Sequence, residues 1–229
     1  MKKEVINIVW LKRDIRSQDH EPLQKAEQAG IPYRIIYLFE PSLIEYPDTS
    51  PRHLQFVYHS ILALNRTLAP FNRNVNMFYG EAINVFEYLE RSCTIKAVFS
   101  FRESGTQSTW ERDKKVSLFF KRHHIIWQES QRDGILRGIK NRDDWNKQWH
   151  RHMHKPIIQN RYSVANEEPP EHPFLFTKKL ETQLKEYPKQ YQPAGEANAW
   201  RYIKSFTSQR GFNYQKHISK PTESRMGCS

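Results

Sequence analysis

Three short segments of this 229-residue chain gather acidic, basic and aromatic side chains closely enough to do chemistry: Lys12-Arg13-Asp14, Phe39-Glu40-Pro41 and Arg102-Glu103-Ser104-Gly105-Thr106. Each follows directly on a short apolar run, so each sits where a buried strand would release the chain to solvent. A fourth segment, Ser50-Pro51-Arg52, opens a helical pattern. Any one of these residues is also what a solvated loop end carries. Brought together, they make a mixed-charge pocket with an aromatic wall, the chemistry of a small-molecule site.

Other patterns say less. In Trp149-His150-Arg151-His152-Met153-His154 the first and third histidines share a helical face at metal-ligand spacing, but no Cys or carboxylate cluster joins them in sequence. The simpler reading is a solvated, basic helix end without a metal. The six tryptophans read as packing residues, with Trp145 and Trp149 forming a stripe. The eight glycines never fall as GxGxxG or GxxxxGK[ST], which excludes the dinucleotide turn and the Walker loop. HExxH and GxSxG are absent, and so are the HIGH-type and SGGxDS-type adenylyl-transfer motifs.

The elements that must position the three segments follow from periodicity. Apolar runs at Val5 to Trp10, Tyr33 to Phe39, Asn74 to Tyr79, Ile95 to Phe101 and His124 to Trp127 have strand length. Helical patterns lie between them, near 20–29, 51–69, 81–92 and 106–122. The second is the clearest, with Pro51 at a first helical position and Leu54, Val57, Tyr58, Ile61, Leu62 and Leu68 on one face. Alternation of this kind predicts an α/β domain, a doubly wound, five-stranded, Rossmann-like parallel sheet of order 3-2-1-4-5. In such a sheet ligands bind beyond the carboxyl ends of the strands where the order reverses. That places the crevice between the first and fourth strands, between Arg13-Asp14 and Arg102-Glu103.

Beyond Glu129 the texture becomes charged, then proline-rich. Residues 134–154 read as partly helical, 155–195 as a long and mostly irregular connection, and a new helix begins near Glu196 with Ala199, Trp200, Ile203 and Phe206 on one side. Domain boundaries are expected at 1–133 for the α/β domain, 134–195 for an interdomain helix and linker, and 196–229 for an incomplete helical segment. A segment that short builds no core, so the sequence is expected to be the amino-terminal portion of a longer protein.

With 36 Lys+Arg against 25 Asp+Glu, the net charge of +11 favours polyanionic partners. Two distant cysteines, Cys93 and Cys228, fit a reducing, cytoplasmic location. The opening apolar run is short, interrupted by Asn7 and followed by Lys12-Arg13, so it reads as a first strand and not as a signal peptide. No apolar stretch approaches the roughly 20 residues of a membrane helix.

The same residues resemble a known family. Ile8-Val9-Trp10-Leu11-Lys12-Arg13-Asp14-Ile15-Arg16, followed by Asp19-His20-Glu21-Pro22-Leu23, is similar to the opening of the cryptochrome/DNA photolyase family. Tyr37-Leu38-Phe39-Glu40-Pro41, Arg102 to Thr106, Arg112-Asp113 and Gln128 to Arg137 look like its further landmarks, in the expected order. Gly195-Glu196-Ala197 and the helix after it resemble the start of the family's helical FAD-binding domain. Tyr214 and Gly227-Cys228-Ser229 resemble its flavin-phosphate segment, and the sequence departs from the pattern by ending before a Leu-Ser-Pro run.

The resemblance implies FAD in the intact protein and, at the α/β domain, an antenna chromophore of folate or deazaflavin type. It implies that Arg13, Asp14, Phe39, Glu40, Arg52, Arg102 and Glu103 lie in or near the antenna crevice, with Tyr214 and Ser229 near the flavin phosphates. For the intact protein it implies a deoxyribodipyrimidine photolyase, a carbon-carbon lyase that binds damaged DNA and repairs pyrimidine dimers by light-driven electron transfer from reduced FAD. The fragment alone is expected to be inactive. A cryptochrome-type blue-light sensor without repair activity is the alternative within the family. A stand-alone nucleotide- or protein-binding α/β module is the alternative outside it.

Overall fold

A computed structural model describes residues 3–135, 140–165, 171–187 and 190–214. Five strands, β1 (Val5–Leu11), β2 (Tyr33–Phe39), β3 (Val75–Tyr79), β4 (Thr94–Phe101) and β5 (Ile126–Ser130), form one sheet of order β3-β2-β1-β4-β5. Every neighbouring pair is parallel, with Val9 of β1 in register with Ile35 on one side and Phe99 on the other. The central strand Val-Ile-Asn-Ile-Val-Trp-Leu is buried from Ile6 onward because both of its faces are covered. Ile6, Ile8 and Trp10 enter one core cluster and Val9 and Leu11 the other.

The helices α1 (Glu21–Gln28), α2 (Pro41–Ile44), α3 (Pro51–Leu68), α4 (Ala82–Ser92) and α5 (Gln107–Arg122) alternate with the strands. Leu23 and Ala26 of α1 and Tyr58, Ile61 and Leu64 of α3 pack on the face of Val9. On the opposite face Val85, Phe86 and Leu89 of α4 join Val116 and Phe120 of α5 against Trp10. The expected doubly wound α/β sheet is thus the observed one.

Two local readings change. The fifth strand lies later in sequence than expected, because His124 takes a left-handed φ of 57° and Ile125 N–H returns to Phe120 O at 2.9 Å, closing α5 before the strand starts. The proline-rich connection is also not simply irregular. Helices α6 (Trp145–Met153), α7 (Lys178–Lys185) and α8 (Glu196–Ser208) follow β5, and α7 lies in the stretch read as loop.

Thr177 caps α7 by accepting from Leu180 N–H at 3.3 Å, and Leu180 and Leu184 are buried in the α3 face of the core. Each buried leucine contributes about 1.5–3 kcal/mol. Upstream, Phe174 O accepts from Tyr79 N–H at the edge of β3, and Phe176 packs edge-on against Phe39 at 5.0 Å. Nearer β1, Ile158 O accepts from Asp19 N–H at 2.9 Å. The connection is therefore strapped along the α/β domain. Among the described residues no helix is long and apolar enough to cross a membrane.

Candidate functional site at the carboxyl ends of the strands

Where β1 ends, the chain delivers Lys12, Arg13 and Asp14 in succession. Lys12 is only 7% exposed. Its Nζ lies 4.4 Å from the Trp10 ring centre and 5.0 Å from that of Trp127, and pairs with Asp113 Oδ2 at 2.9 Å. Asp14, buried, accepts from Lys12 N–H at 2.9 Å and faces His20 Nε2 at 2.7 Å. The Leu23 N–H donates to His20 Nδ1 at 3.2 Å, capping α1 and leaving the ring proton on Nε2 to be donated to Asp14. Burial alone would raise the Asp14 carboxyl, but the hydrogen bond from His20 and the backbone bond and charge of Lys12 hold it below the ordinary range.

The hub is Arg112 on α5. Its Nη1 donates to Glu40 Oε1 at 2.7 Å, its Nη2 to Glu103 Oε2 at 2.6 Å, and its Nη2 and Nε to Asp113 Oδ1 at 2.8 and 3.0 Å. Arg13 Nε holds the other oxygen of Glu103 at 2.8 Å. These contacts fix three carboxylates around one guanidinium in a fork that lysine could not reproduce. Burial works against the charge on Arg112, and Glu40, Asp113 and Glu103 more than offset it, so Arg112 stays a cation. Glu103, also pushed up by burial, is held below the usual range by Arg112 and Arg13. Glu40 goes the other way, raised by burial that Arg112 only partly offsets, with Glu81 adding to the rise.

Arg13, Asp14, Phe39, Glu40 and Glu103 line a single crevice of about 740 Å³. Its aromatic wall is Tyr37 and Phe39, whose rings meet edge-on at 5.0 Å. Leu54 and Val57 of α3 close one side, and Ala199, Trp200 and Ile203 of α8 form the outer wall. The end of α8 is latched: Glu196 Oε2 accepts from Ser17 N–H and Oγ, both at 2.7 Å. Gly105 is required below the site, since a Cβ there would lie 2.1 Å from Thr109 Oγ1 and 3.1 Å from Glu103 Oε1.

The remaining sequence-predicted residues lie elsewhere. Arg52 stacks on Tyr191 at 3.9 Å and does not line the crevice. Arg102 is exposed, its N–H bound to Ser130 O at 2.8 Å, and it borders the neighbouring open groove along α5. Tyr214 packs edge-on against Phe206 at 5.6 Å, away from the crevice. Ser229 lies outside the described residues, as do Leu136 and Arg137. His154 Nδ1 lies 2.8 Å from the His150 carbonyl oxygen, and among the described residues no three His, Cys, Asp or Glu side chains converge as metal ligands.

Arg112 was not among the predicted site residues, although the sequence carried a signal. Thr109, Arg112 and Val116 share the inward face of α5, and a cation on an apolar stripe needs buried partners.

The chain is thus a doubly wound α/β protein with an aromatic, charged crevice at the switch point of its parallel sheet, the place where ligands bind in folds of this class. The chain belongs to the DNA photolyase family, whose model matches residues 7–140. A curated relative, cryptochrome DASH of Synechocystis sp., is 24% identical over 101 residues, 42% of this chain and 21% of that protein.

Three solved structures share the fold. A class III photolyase from Agrobacterium tumefaciens superposes with a TM-score of 0.69 at 15% identity, over 94% of this chain and 47% of that one. A Synechocystis sp. cryptochrome gives 0.68 at 17% identity, over 94% and 49%. An archaeal photolyase from Sulfolobus tokodaii, described with two FAD molecules and a novel light-harvesting cofactor, gives 0.64 at 19% identity, over 86% and 46%. The chain spans about half the length of these solved relatives.

Proposed function

We propose that this chain is the antenna-bearing portion of a photolyase-like flavoprotein that repairs pyrimidine dimers in damaged DNA. The observation that carries the reading is the convergence of Arg13, Asp14, Phe39, Glu40 and Glu103 on one crevice at the carboxyl ends of β1, β2 and β4, inside the region that matches the family. The donor set fits a flat chromophore: two aromatic rings for its face, and carboxylates held rigid by Arg112 for its polar edge. A folate or deazaflavin antenna would rest on Tyr37 and Phe39, with Glu40 and Glu103 oriented toward its edge and Trp200 shielding it from water. Arg52, stacked on Tyr191, and Arg102, bordering the neighbouring groove, stand outside the crevice lining.

FAD, when bound in the intact protein, supplies the light-driven electron. In this reading Tyr214, which packs edge-on against Phe206, would stand near its phosphates. The +11 charge supports attraction to the DNA phosphate backbone. A cytoplasmic location and the division at 1–133, 134–195 and 196–229 belong to the same reading.

The likeness to cryptochrome DASH favours a second reading, a blue-light sensor. The deciding assay follows cyclobutane dimers in a DNA oligonucleotide incubated with the full-length gene product. Loss of dimers under blue light and none in darkness is expected. Flavin photoreduction with the dimers intact would replace repair by sensing, and a product that holds no flavin would overturn both.

A further inference from the structure

The open groove along α5 is a surface apart from the crevice, about 830 Å³ in volume, running from the loop Arg102 to Thr106 past Trp127 to Ile135. Three acids line it, and each is turned inward. Glu103 is held by Arg13 and Arg112 at 2.8 and 2.6 Å, Asp113 by Lys12 and Arg112 at 2.9 and 2.8 Å, and Glu129 faces Lys12 at 3.9 Å. Three further cations line the groove from outside that network. Arg102, Lys114 and Lys121 are exposed, and none of them makes an ion pair among the described residues.

Aromatic surface lies between these cations. Trp110 is 48% exposed, and Lys114 Nζ sits 3.4 Å from its ring centre, so ring and charge are presented together. Deeper in, Trp127 is half-buried and fixed: it stacks on Trp10 at 6.0 Å, and its Nε1 donates to Ser100 Oγ at 3.0 Å. Trp110, Lys114, Ser117 and Lys121 follow one another at helical spacing. From Trp110 to Lys121 that line runs about 16 Å, at 1.5 Å per residue. It is long enough for several stacked nucleotides at about 3.4 Å each.

We propose that this groove docks single-stranded nucleic acid, with bases stacked on Trp110 and phosphates against Arg102, Lys114 and Lys121. Exposed cations alone would suit any polyanion. An open indole set among them favours a partner whose aromatic rings alternate with its charges, which an acidic peptide or an anionic lipid surface does not supply. A duplex keeps its bases stacked on one another and offers Trp110 little. The proposal goes beyond the repair reading, since it needs neither flavin nor lesion and lies outside the crevice.

The test is a titration of a short fluorescein-labelled oligothymidylate with the chain, followed by anisotropy at low ionic strength, with a duplex of equal length beside it. Trp110→Ala leaves the net charge unchanged at an exposed position. It is expected to weaken the single strand at least about fivefold and to leave duplex binding as it was, and Trp110→Phe should restore most of the loss. Lys121→Glu should weaken the strand and flatten its salt dependence. Equal binding of the strand by the native chain and Trp110→Ala would overturn the proposal, as would no binding at all. Displacement of the strand by a polyglutamate peptide as readily as by unlabelled oligothymidylate would overturn it in favour of an acidic partner, and displacement by thymidine monophosphate in favour of a free nucleotide.

Discussion

The crevice has two unlike walls. On the sheet side Arg112, Glu40, Glu103, Asp113, Lys12 and Asp14 form a network whose groups are held by short ion pairs over Trp10 and are largely buried. On the α8 side, Trp200 and Ile203 are half exposed, and the helix is anchored at its start by Glu196. The core fixes the sheet-side wall rigidly. The outer wall buries less surface and is expected to open at lower free energy, which under the proposed reading would be the ligand's way in.

That contrast can be broken at several points. The largest effect is expected from Arg112→Met, which leaves three carboxylates around an apolar side chain. It should lower unfolding free energy by about 3–5 kcal/mol in urea denaturation. A loss under about 1 kcal/mol would show that the network is not what fixes the sheet-side wall.

Leu184→Ala comes next, at about 2–4 kcal/mol, because α7 is part of the core and not a free linker. Limited proteolysis of that variant should cut first within 171–187.

Asp14→Asn should cost about 1–2 kcal/mol near neutral pH, from losing a charge-assisted bond to His20. The folded Asp14 carboxyl titrates below its unfolded range, so its contribution is full above that range and disappears as pH falls through the folded value. The native protein should therefore lose stability in acid more steeply than the variant, and the two curves should converge at low pH. Parallel curves would remove Asp14 from the acid limb.

The smallest global effect is expected from Glu196→Gln. Hydrogen exchange at the Ser17 and Gln18 amides should accelerate about tenfold, while the thermal midpoint moves by no more than a degree or two. A large fall in the midpoint would mean that α8 belongs to the cooperative core and that the two walls do not differ.

Much of the sheet was legible in the sequence because parallel strands buried on both faces leave uninterrupted apolar runs, as in Ile-Val-Trp-Leu. The crevice followed from topology, since Asp14, Glu40 and Glu103 each stand within three residues of a strand end. What was hidden depended on pairing across distance. Nothing local marks Arg112 as the partner of Glu40, 72 positions away. The short α7 was masked by surrounding prolines, its two buried leucines spaced four apart in a charged segment. Arg52 was placed by the helix start it occupies, but Tyr191 draws its guanidinium aside.

The central claim is that the carboxyl-end crevice receives an aromatic chromophore, and one substitution tests it without touching the charged network. Ala199 is exposed and lines the crevice from α8, so Ala199→Trp is expected to take up space in it. Riboflavin titrated against native chain and variant should bind the native chain and lose at least about tenfold in affinity on the variant. Equal binding by the two would contradict the account.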